Sequence, residues 1–474
     1  MVKFSSTISR FLTSRLQRRR RKQNQQYRVD PCEQRVLLSA VNVVTSPGPQ
    51  GSVSLTFQGT DSADEVFLGT HFETGLLTAY SFSGTTFRLN GGPEVSSLTF
   101  PQLHNVTFNL GGGNDLVSVF LTSANDVRLN LGAGSDNAYI TDVNMNDLKI
   151  SDGFADDEQN AFNIQNFASS FGLDDLTAAF DRGSSQINVM AFAGQTIELG
   201  EVSLTGKNVT SMGLLLSAGQ NSHIWVNEKV RLRNDPASFG VANLNINTQV
   251  SPGDTGSVDL GNGITVNSPG AILNISGSVN VNGDLNFTTT GFFNDRVSIE
   301  NGAPVFHGRV SINTGEGDDF ILMEKQDASL PPTRFRKAVS ISTGGGNDIV
   351  NIGPATFANS LNIQLGSSTP FSGFQVDNVR LGNIDVAGNL TVTSTGDATV
   401  LVSPNSSGQA MFHGNASFIL GGGQVFITSS NSNVVFDRKQ IFTGQPNRIQ
   451  VFYIGDIIAN LTKRVLTNAD LFTF

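Results

Sequence analysis

Aspartates that follow a Gly-x-Gly turn are the residues in this sequence whose type and spacing could do chemistry. Four related stretches alternate apolar and polar residues, break at Gly-x-Gly, place an Asp at the restart and alternate again: Val106–Val119, Val127–Ile140, Val310–Met323 and Val339–Ile352. Carboxylates and open turn carbonyls are oxygen ligands of the kind that calcium prefers. The same Asp could instead cap the turn through backbone N–H groups, while glycine supplies positive φ.

The alternating strand pattern also resumes after aspartates that lack the paired glycines. Asp64, Asp295 and Asp377 are also followed by apolar residues at the second and fourth positions. Alternation with period two, repeated at intervals of roughly one coil, is typical of a solenoid of stacked β-strands. We therefore predict an all-β fold, a parallel β-helix that is right-handed because crossover connections are. Asp115 and Asp136 should then lie on neighbouring coils about 4.8 Å apart.

Four aspartates follow paired glycines and are the candidate calcium ligands: Asp115, Asp136, Asp319 and Asp348. Their Gly-x-Gly-x-Asp segments resemble single units of the calcium-binding nonapeptide repeat of repeats-in-toxin proteins, and this resemblance implies calcium as a cofactor. Two carboxylates about 5 Å apart repel by about 3 kcal/mol at an effective dielectric constant near 20, so only a sheltered pair would need a cation. The alternative, in which each Asp caps a turn, stays open for these four and is preferred for Asp64, Asp295 and Asp377.

A second candidate site is a polar strand face around the single tryptophan. Alternation from Ser222 to Asn234 places aromatic and cationic side chains on one face and aliphatic side chains on the other. Four of the polar-face residues could stack on a sugar or bind an acidic polysaccharide: Trp225, Lys229, Arg231 and Arg233. The alternative is a solvated strand face without a ligand.

Composition and charge limit the classes of function. The chain has 474 residues, 50 of them Gly, and only 15% are Asp, Glu, Lys or Arg, a balance that suits strands and turns. The net charge of −10 combines a net charge of +8 in residues 1–40 with a strongly acidic remainder, which argues against nucleic acid as a partner. One cysteine, Cys32, cannot form an internal disulfide framework. The sequence contains no apolar run of about twenty residues, so we predict no transmembrane helix.

Residues 1–40 predict a basic N-terminal arm. Met1–Lys22 could form a basic amphipathic helix or remain a disordered leader. Cys32–Ala40, with the sequence CEQRVLLSA, resembles the Leu-Glu-Pro-Arg-x-Leu-Leu type motif near the N-terminus of many predicted exported or surface proteins of planctomycete-type bacteria. The Glu, the Arg and both Leu residues match, whereas Cys32 and Gln34 depart from the motif. The resemblance implies an extracellular or cell-surface location; a basic linker into the first strand is the alternative.

Strand patterning divides the remainder into segments. We predict β-solenoid from 41 to 153 and from 184 to 451. Between them, residues 154–183 predict an insertion loop with a short helix, because three apolar residues have helical spacing: Leu173, Leu176 and Phe180. Residues 452–474 predict a helical C-terminal cap on the same grounds, from Ile457, Leu461 and Val465. A cap is needed because an open coil exposes unpaired backbone groups.

No group of residues in the sequence predicts a catalytic centre. The five histidines lack metal-ligand spacing, and neither a serine nucleophile elbow nor a phosphate-binding loop is present. The architecture and the export motif predict a non-enzymatic structural and adhesive protein, with cell-wall or extracellular polysaccharide or other surface proteins as partners. The alternative is a β-helical lyase or hydrolase that degrades polysaccharide, which would need carboxylates converging on one groove.

Overall fold

The structure, a computed structural model, describes most of the chain after the basic arm. It covers residues 39–473 except 71–73, 121, 153–157, 193, 249–255, 325–330, 368–375, 405–407, 446–448, 460–463 and 468. The predicted N-terminal helix and nearly all of the export motif therefore lie outside the described residues. The described residues form an all-β solenoid of parallel coils, as the alternation predicts.

The N-terminal end of the solenoid contains seven strands and one short 3-10 turn at Pro49–Gly51. The strands are β1 (Ala40–Pro47), β2 (Val53–Gln58), β3 (Glu65–Thr70), β4 (Leu77–Tyr80), β5 (Thr86–Leu89), β6 (Glu94–Val95) and β7 (Ser97–Phe100). β1 pairs antiparallel with β2, and β4 pairs antiparallel with β3 and β7. β1 and β4 thus pair with the outer edges of β2 and β3 and cover the backbone edge of the first coil.

The coils that follow begin with twelve strands: β8 (Leu103–Asn109), β9 (Leu116–Phe120), β10 (Asp126–Asn130), β11 (Asn137–Thr141), β12 (Met145–Asp152), β13 (Gln159–Asn166), β14 (Phe171–Phe180), β15 (Ser184–Ala191), β16 (Thr196–Gly206), β17 (Ser211–Ala218), β18 (His223–Val226) and β19 (Val230–Asn234). The central coils contain β20 (Val241–Thr248), β21 (Ser257–Leu260), β22 (Gly263–Ser268), β23 (Gly270–Gly277), β24 (Val279–Val281), β25 (Asp284–Thr289), β26 (Arg296–Gly302), β27 (Val305–Phe306), β28 (Val310–Asn313), β29 (Phe320–Met323), β30 (Thr333–Phe335), β31 (Val339–Ser342), β32 (Ile349–Ile352), β33 (Ala355–Phe357), β34 (Leu361–Leu365), β35 (Asp377–Leu381) and β36 (Ile384–Val386). The last coils contain β37 (Leu390–Val402), β38 (Gln409–Phe412), β39 (Ala416–Phe436), β40 (Gln440–Gly444), β41 (Ile449–Ala459), β42 (Arg464–Thr467) and β43 (Ala469–Thr473).

Parallel pairing places these strands on three faces. Face 1 includes β2, β8, β10, β12, β19, β22, β25, β28, β31 and β34, and face 2 includes β3, β9, β11, β13, β15, β17, β20, β23, β26, β29, β32 and β35. Face 3 includes β18, β21, β24, β27, β30, β33 and β36. The longer strands β14, β16, β37, β39 and β41 continue around a corner from one face to the next. The chain passes from face 1 to face 2 at the Gly-x-Gly corner.

The core lies inside the coils and is built from the inward residue of each alternating pair. Val127, Leu129 and Leu148 are completely or almost completely buried on face 1. Identical inward positions stack on one another, because Phe306, Phe335 and Phe357 on face 3 have ring centroids 5.0 and 4.8 Å apart. Such offset aromatic stacks add to the hydrophobic stabilisation of burial.

The helix predictions within residues 154–183 and 452–474 are wrong. The segment predicted to be an insertion loop contains β13 and β14, which continue the stack, and Leu173, Leu176 and Phe180 are all buried in β14. The three-residue spacing arises because two outward residues follow one another at 174–175, where β14 turns from face 3 to face 1.

The predicted C-terminal helix is likewise replaced by strands. Ile457 lies in β41 and Val465 in β42, while Leu461 lies outside the described residues. β42 pairs with β40, and β43 pairs with β41, so the parallel stacking continues to residue 473. The described part of the chain contains no helix long and apolar enough to cross a membrane.

Candidate functional site

Glycines from successive coils stack directly at the corner between faces 1 and 2. Gly132 has φ +91°, and a Cβ atom on it would lie 1.7 Å from the carbonyl oxygen of Gly111. Gly134 has φ +140° and would place a Cβ atom 1.8 Å from the carbonyl oxygen of Gly113. The corner therefore needs glycine for two reasons, the left-handed backbone conformation and the close approach of the next coil.

Buried aspartates form a ladder directly after this corner, which we call the first ladder. The backbone N–H of Asp64 donates to Asp115 Oδ1 at 2.8 Å, and the N–H of Asp115 donates to Asp136 Oδ1 at 2.7 Å. The N–H of Asp136 donates in turn to Asn160 Oδ1 at 2.7 Å. Each side chain thus caps a backbone N–H of the coil before it.

The second ladder repeats this arrangement in the central coils. The backbone N–H of Ala271 donates to Asp295 Oδ1 at 2.7 Å, and the N–H of Asp295 donates to Asp319 Oδ1 at 2.8 Å. The N–H of Asp319 donates to Asp348 Oδ1 at 3.0 Å, and the N–H of Asp348 donates to Asp377 Oδ1 at 3.1 Å. The ladder therefore spans five successive coils.

Burial makes ionisation of these carboxyls unfavourable. Loss of hydration raises the pKa of Asp115 to about 8 and that of Asp136 to about 6, although a backbone N–H lowers each in part. The same cause raises the pKa of Asp319 to about 8 and that of Asp377 to about 7. Neighbouring carboxylates in the ladder raise the pKa values further, because like charges repel.

The second oxygens of most ladder carboxyls accept no hydrogen bond from the described residues. Asp115 Oδ2 and Asp136 Oδ2 are buried and accept no hydrogen bond from the described residues. In the second ladder Asp319 Oδ2, Asp348 Oδ2 and Asp377 Oδ2 are likewise buried without a hydrogen-bond donor among the described residues, whereas the hydroxyl of Thr289 donates to Asp295 Oδ2 at 2.5 Å. A proton or a cation could therefore occupy the free oxygens of either ladder.

The structure confirms that both predicted pairs stack, and it changes how the aspartates are grouped. Asp115 and Asp136, and likewise Asp319 and Asp348, lie on adjacent coils. The sequence predicted a separate group for the aspartates without paired glycines. These aspartates belong to the same ladders as the others, and they are Asp64, Asp295 and Asp377. In the described residues, no group of three or more His, Cys, Asp and Glu side chains is arranged to hold a metal ion. Calcium therefore remains a prediction.

The polar face around Trp225 is divided between two strands. Trp225 lies on β18 of face 3 and is 45% exposed, whereas Arg231 and Arg233 project outward from β19 of face 1. Lys229 lies in the corner between them, partly exposed. Arg231 forms an ion pair with Glu201 at 2.9 Å. The outward orientation is as predicted, but the four side chains do not form one continuous strand face.

The structure contains one acid–base cluster that was not predicted from the sequence. His413 Nε2 lies 3.2 Å from Asp385 Oδ1, and His413 Nδ1 lies 2.6 Å from Asp437 Oδ2, with all three side chains partly exposed. Asp385 also lines a cavity of about 260 Å³ on face 3. Successive residues of this cluster are separated in the sequence by roughly the length of one coil. This spacing is the only signal that could have connected them.

Comparison of the chain with protein-family models, curated proteins and solved structures finds no match. The class of protein is therefore defined by its fold and by the glycine corner between faces 1 and 2 alone. The described residues form a parallel β-solenoid with glycine corners and internal aspartate ladders.

Proposed function

We propose that this chain is an exported, non-enzymatic solenoid with a structural and adhesive role at the cell surface or in the extracellular space. Its partners would be polysaccharides or other surface proteins. The observation that carries the proposal is that the aspartates able to do chemistry lie inside the stack and cap its backbone. These carboxyls hold coils together and do not face a cleft, which suits a scaffold.

The outer surface and the N-terminal arm support the same proposal. Trp225, Arg231 and Arg233 project outward and offer stacking and cationic groups to a glycan. The resemblance of Cys32–Ala40 to an export motif supports a location outside the cytoplasm. A stack that repeats one corner also presents equivalent side chains at regular spacing, which favours multivalent attachment.

Fractionation of cells that produce the full chain should place it in the surface or extracellular fraction, without the basic arm of residues 1–40. N-terminal sequencing of the recovered protein measures the removal of the arm. Replacing both Glu33 and Arg35 by Ala should retain the chain inside the cell, because these residues match the export motif. Gln34→Ala is the matched control, since this position departs from the motif, and it should be exported normally.

A cytoplasmic chain with an intact arm would contradict the proposed location. The alternative, a polysaccharide-degrading enzyme, has the His413 cluster as its one supporting feature. Release of oligosaccharides from acidic glycans by the purified protein, abolished by His413→Ala, would assign the enzyme and reject the structural role.

Calcium at the pairs Asp115/Asp136 and Asp319/Asp348 is the finer part of the proposal. Titration of calcium into chelator-treated protein should release heat and raise the unfolding temperature, because a cation would neutralise buried carboxylates that now repel. Asp136→Asn should abolish the effect at the first pair. Asp295→Asn is the control, because both oxygens of Asp295 already accept hydrogen bonds, from the N–H of Ala271 and the hydroxyl of Thr289. Titration without heat or stabilisation would leave the aspartates with the capping role alone.

A further inference from the structure

The outward surface of face 1 contains a strip of uncharged polar side chains that none of the roles above uses. It extends over β22, β25, β28, β31, β34 and the first part of β37, and we call it the polar strip. One column of outward residues is Thr265, Asn286, Ser311, Ser340, Asn362 and Thr391. The other column is Asn267, Thr288, Asn313, Ser342, Gln364 and Thr393. Every member is Ser, Thr, Asn or Gln.

The polar strip is regular, because its six strands pair in parallel without any shift of register. Neighbouring strands of a sheet lie about 4.8 Å apart, and alternate residues of one strand lie about 7 Å apart. The strip therefore repeats pairs of polar groups over a length of about 24 Å. The residues between the columns, such as Val266, Phe287 and Ile312, are buried, so the polar side chains point away from the core.

Most hydrogen-bonding groups on the polar strip are available to a ligand, with the exception of Thr265 Oγ1, which is buried. Among its side chains only Thr393 makes a hydrogen bond within the described residues, to the carbonyl of Ile363 at 3.4 Å. Outward asparagines of face 2 behave differently, because Asn274 donates to Asn245 at 2.6 Å along the stack. Both faces have asparagine columns, but those on the polar strip leave their donors and acceptors open.

The absence of charge and of large apolar side chains defines the partner chemistry. On face 2 of the same coils the outward residues include Arg296, Glu300 and Arg380, whereas no residue of the polar strip is ionisable. Protein interfaces are enriched in aromatic residues, Met and Arg, and the strip has none of these. A partner rich in hydroxyl groups and free of charge can exchange hydrogen bonds with every row of the strip without burying an ion.

We propose that the polar strip binds an uncharged polysaccharide, whose hydroxyl groups exchange hydrogen bonds with the Ser and Thr hydroxyls and the Asn and Gln amides. The proposal deepens the adhesive role and rests on it for its biological setting, because it names the class of ligand. It differs from the Trp225 region, where cations and an aromatic ring would favour an acidic glycan.

The test measures retention of the purified full chain on insoluble cellulose, chitin and β-1,3-glucan, with alginate as the acidic comparison. A variant carrying Ser340→Glu and Asn362→Lys places two charges on the polar strip at unchanged net charge. We expect it to lose affinity by roughly tenfold or more, because the two longer, charged side chains would have to lose their hydration under a bound neutral glycan. The matched control carries Asn351→Glu and Asn378→Lys on face 2 of the same two coils, and its affinity should match that of the parent.

Circular dichroism and unfolding temperature separate loss of binding from loss of fold in both variants. Equal retention of the parent and the strip variant would overturn the proposal, and so would failure of the parent to bind any of the three neutral polymers. A parent that self-associates in sedimentation, with the strip variant monomeric, would assign the strip to a second copy of the chain. Because purified protein is used, a negative result here does not depend on where fractionation places the chain in the cell.

Discussion

The unfolding temperature of the solenoid should fall as the pH is raised from about 5 to about 9 in buffer that contains a chelator. The cause is the aspartate ladders, in which burial raises the pKa of Asp115 and Asp319 to about 8. Surface carboxylates are already ionised at the lower end of this range, so they contribute little to the change. Thermal unfolding followed by circular dichroism measures the effect.

The sign follows from proton linkage. In the unfolded chain these carboxyls have an ordinary pKa of 3.8 and lose their protons first, whereas the folded chain retains them up to about pH 6 to 8. The folded state therefore binds more protons between these limits, and stability falls as the pH rises. The stabilisation is complete below pH 3.8 and is lost as the pH rises through the folded-state values. Each strongly shifted carboxyl adds to this loss.

Asp319→Asn should raise the unfolding temperature at about pH 8 and reduce its dependence on pH. The amide oxygen can accept the same backbone N–H, as Asn160 does from Asp136 in the first ladder. Asp174→Asn is the matched control, because Asp174 is an exposed aspartate of β14 away from both ladders, so the same chemical change should have little effect there. Asp319→Ala should instead destabilise the protein, since the N–H of Asp295 would lose its acceptor.

A stability that rises with pH in the presence of chelator would contradict this account of the ladders. Calcium changes the expectation in a defined way, because a bound cation would favour the ionised carboxylates and remove the decline at high pH. The same pH series with and without calcium therefore distinguishes proton uptake from cation binding at these carboxyls.

The solenoid and its glycine corners could be predicted from the sequence because they depend on local patterns. Alternation within a strand, positive φ at a corner and an Asp at the restart all appear within a few neighbouring residues. The four Gly-x-Gly-x-Asp stretches therefore identified the coil repeat, and Asp115 and Asp136 were correctly expected to stack.

Features that depend on register between coils were not predictable in the same way. Coils differ in length, so ladder partners are 21 residues apart at Asp115 and Asp136 but 29 apart at Asp319 and Asp348. Membership of Asp295 in a ladder could therefore not be read from spacing. The polar strip was missed for the same reason, because its members become neighbours only when strands from six coils are aligned.

The helix at residues 170–180 was wrongly predicted because a corner can lie inside a strand. β14 places two outward residues in succession where it turns, and the apolar spacing then changes from two to three. A helix gives the same spacing, so periodicity alone cannot distinguish the two. The neighbouring coil resolves the ambiguity, since Leu173 pairs with Leu199 and Leu176 with Val202 in a continuous parallel ladder.

Gly132→Ala should destabilise the solenoid by more than about 3 kcal/mol. The new Cβ would lie 1.7 Å from the carbonyl oxygen of Gly111. This oxygen is part of the backbone of the preceding coil and cannot rotate away. Relief of the clash would require the two coils to separate, and this would also break the hydrogen bond between Ala133 N and Gly111 O.

Gly75→Ala provides the matched control for this substitution. Gly75 also has positive φ, +65°, but nothing lies within 4 Å of its added Cβ, so only the backbone strain of about 1 kcal/mol is expected. The difference between the two variants measures the steric contribution of coil stacking, and chemical denaturation of both proteins determines it. Gly344→Ala repeats the test beside the second ladder, where the contact with Gly315 O would be 1.6 Å. Equal losses at Gly132 and Gly75 would mean that close contact between coils does not determine the need for glycine at these corners.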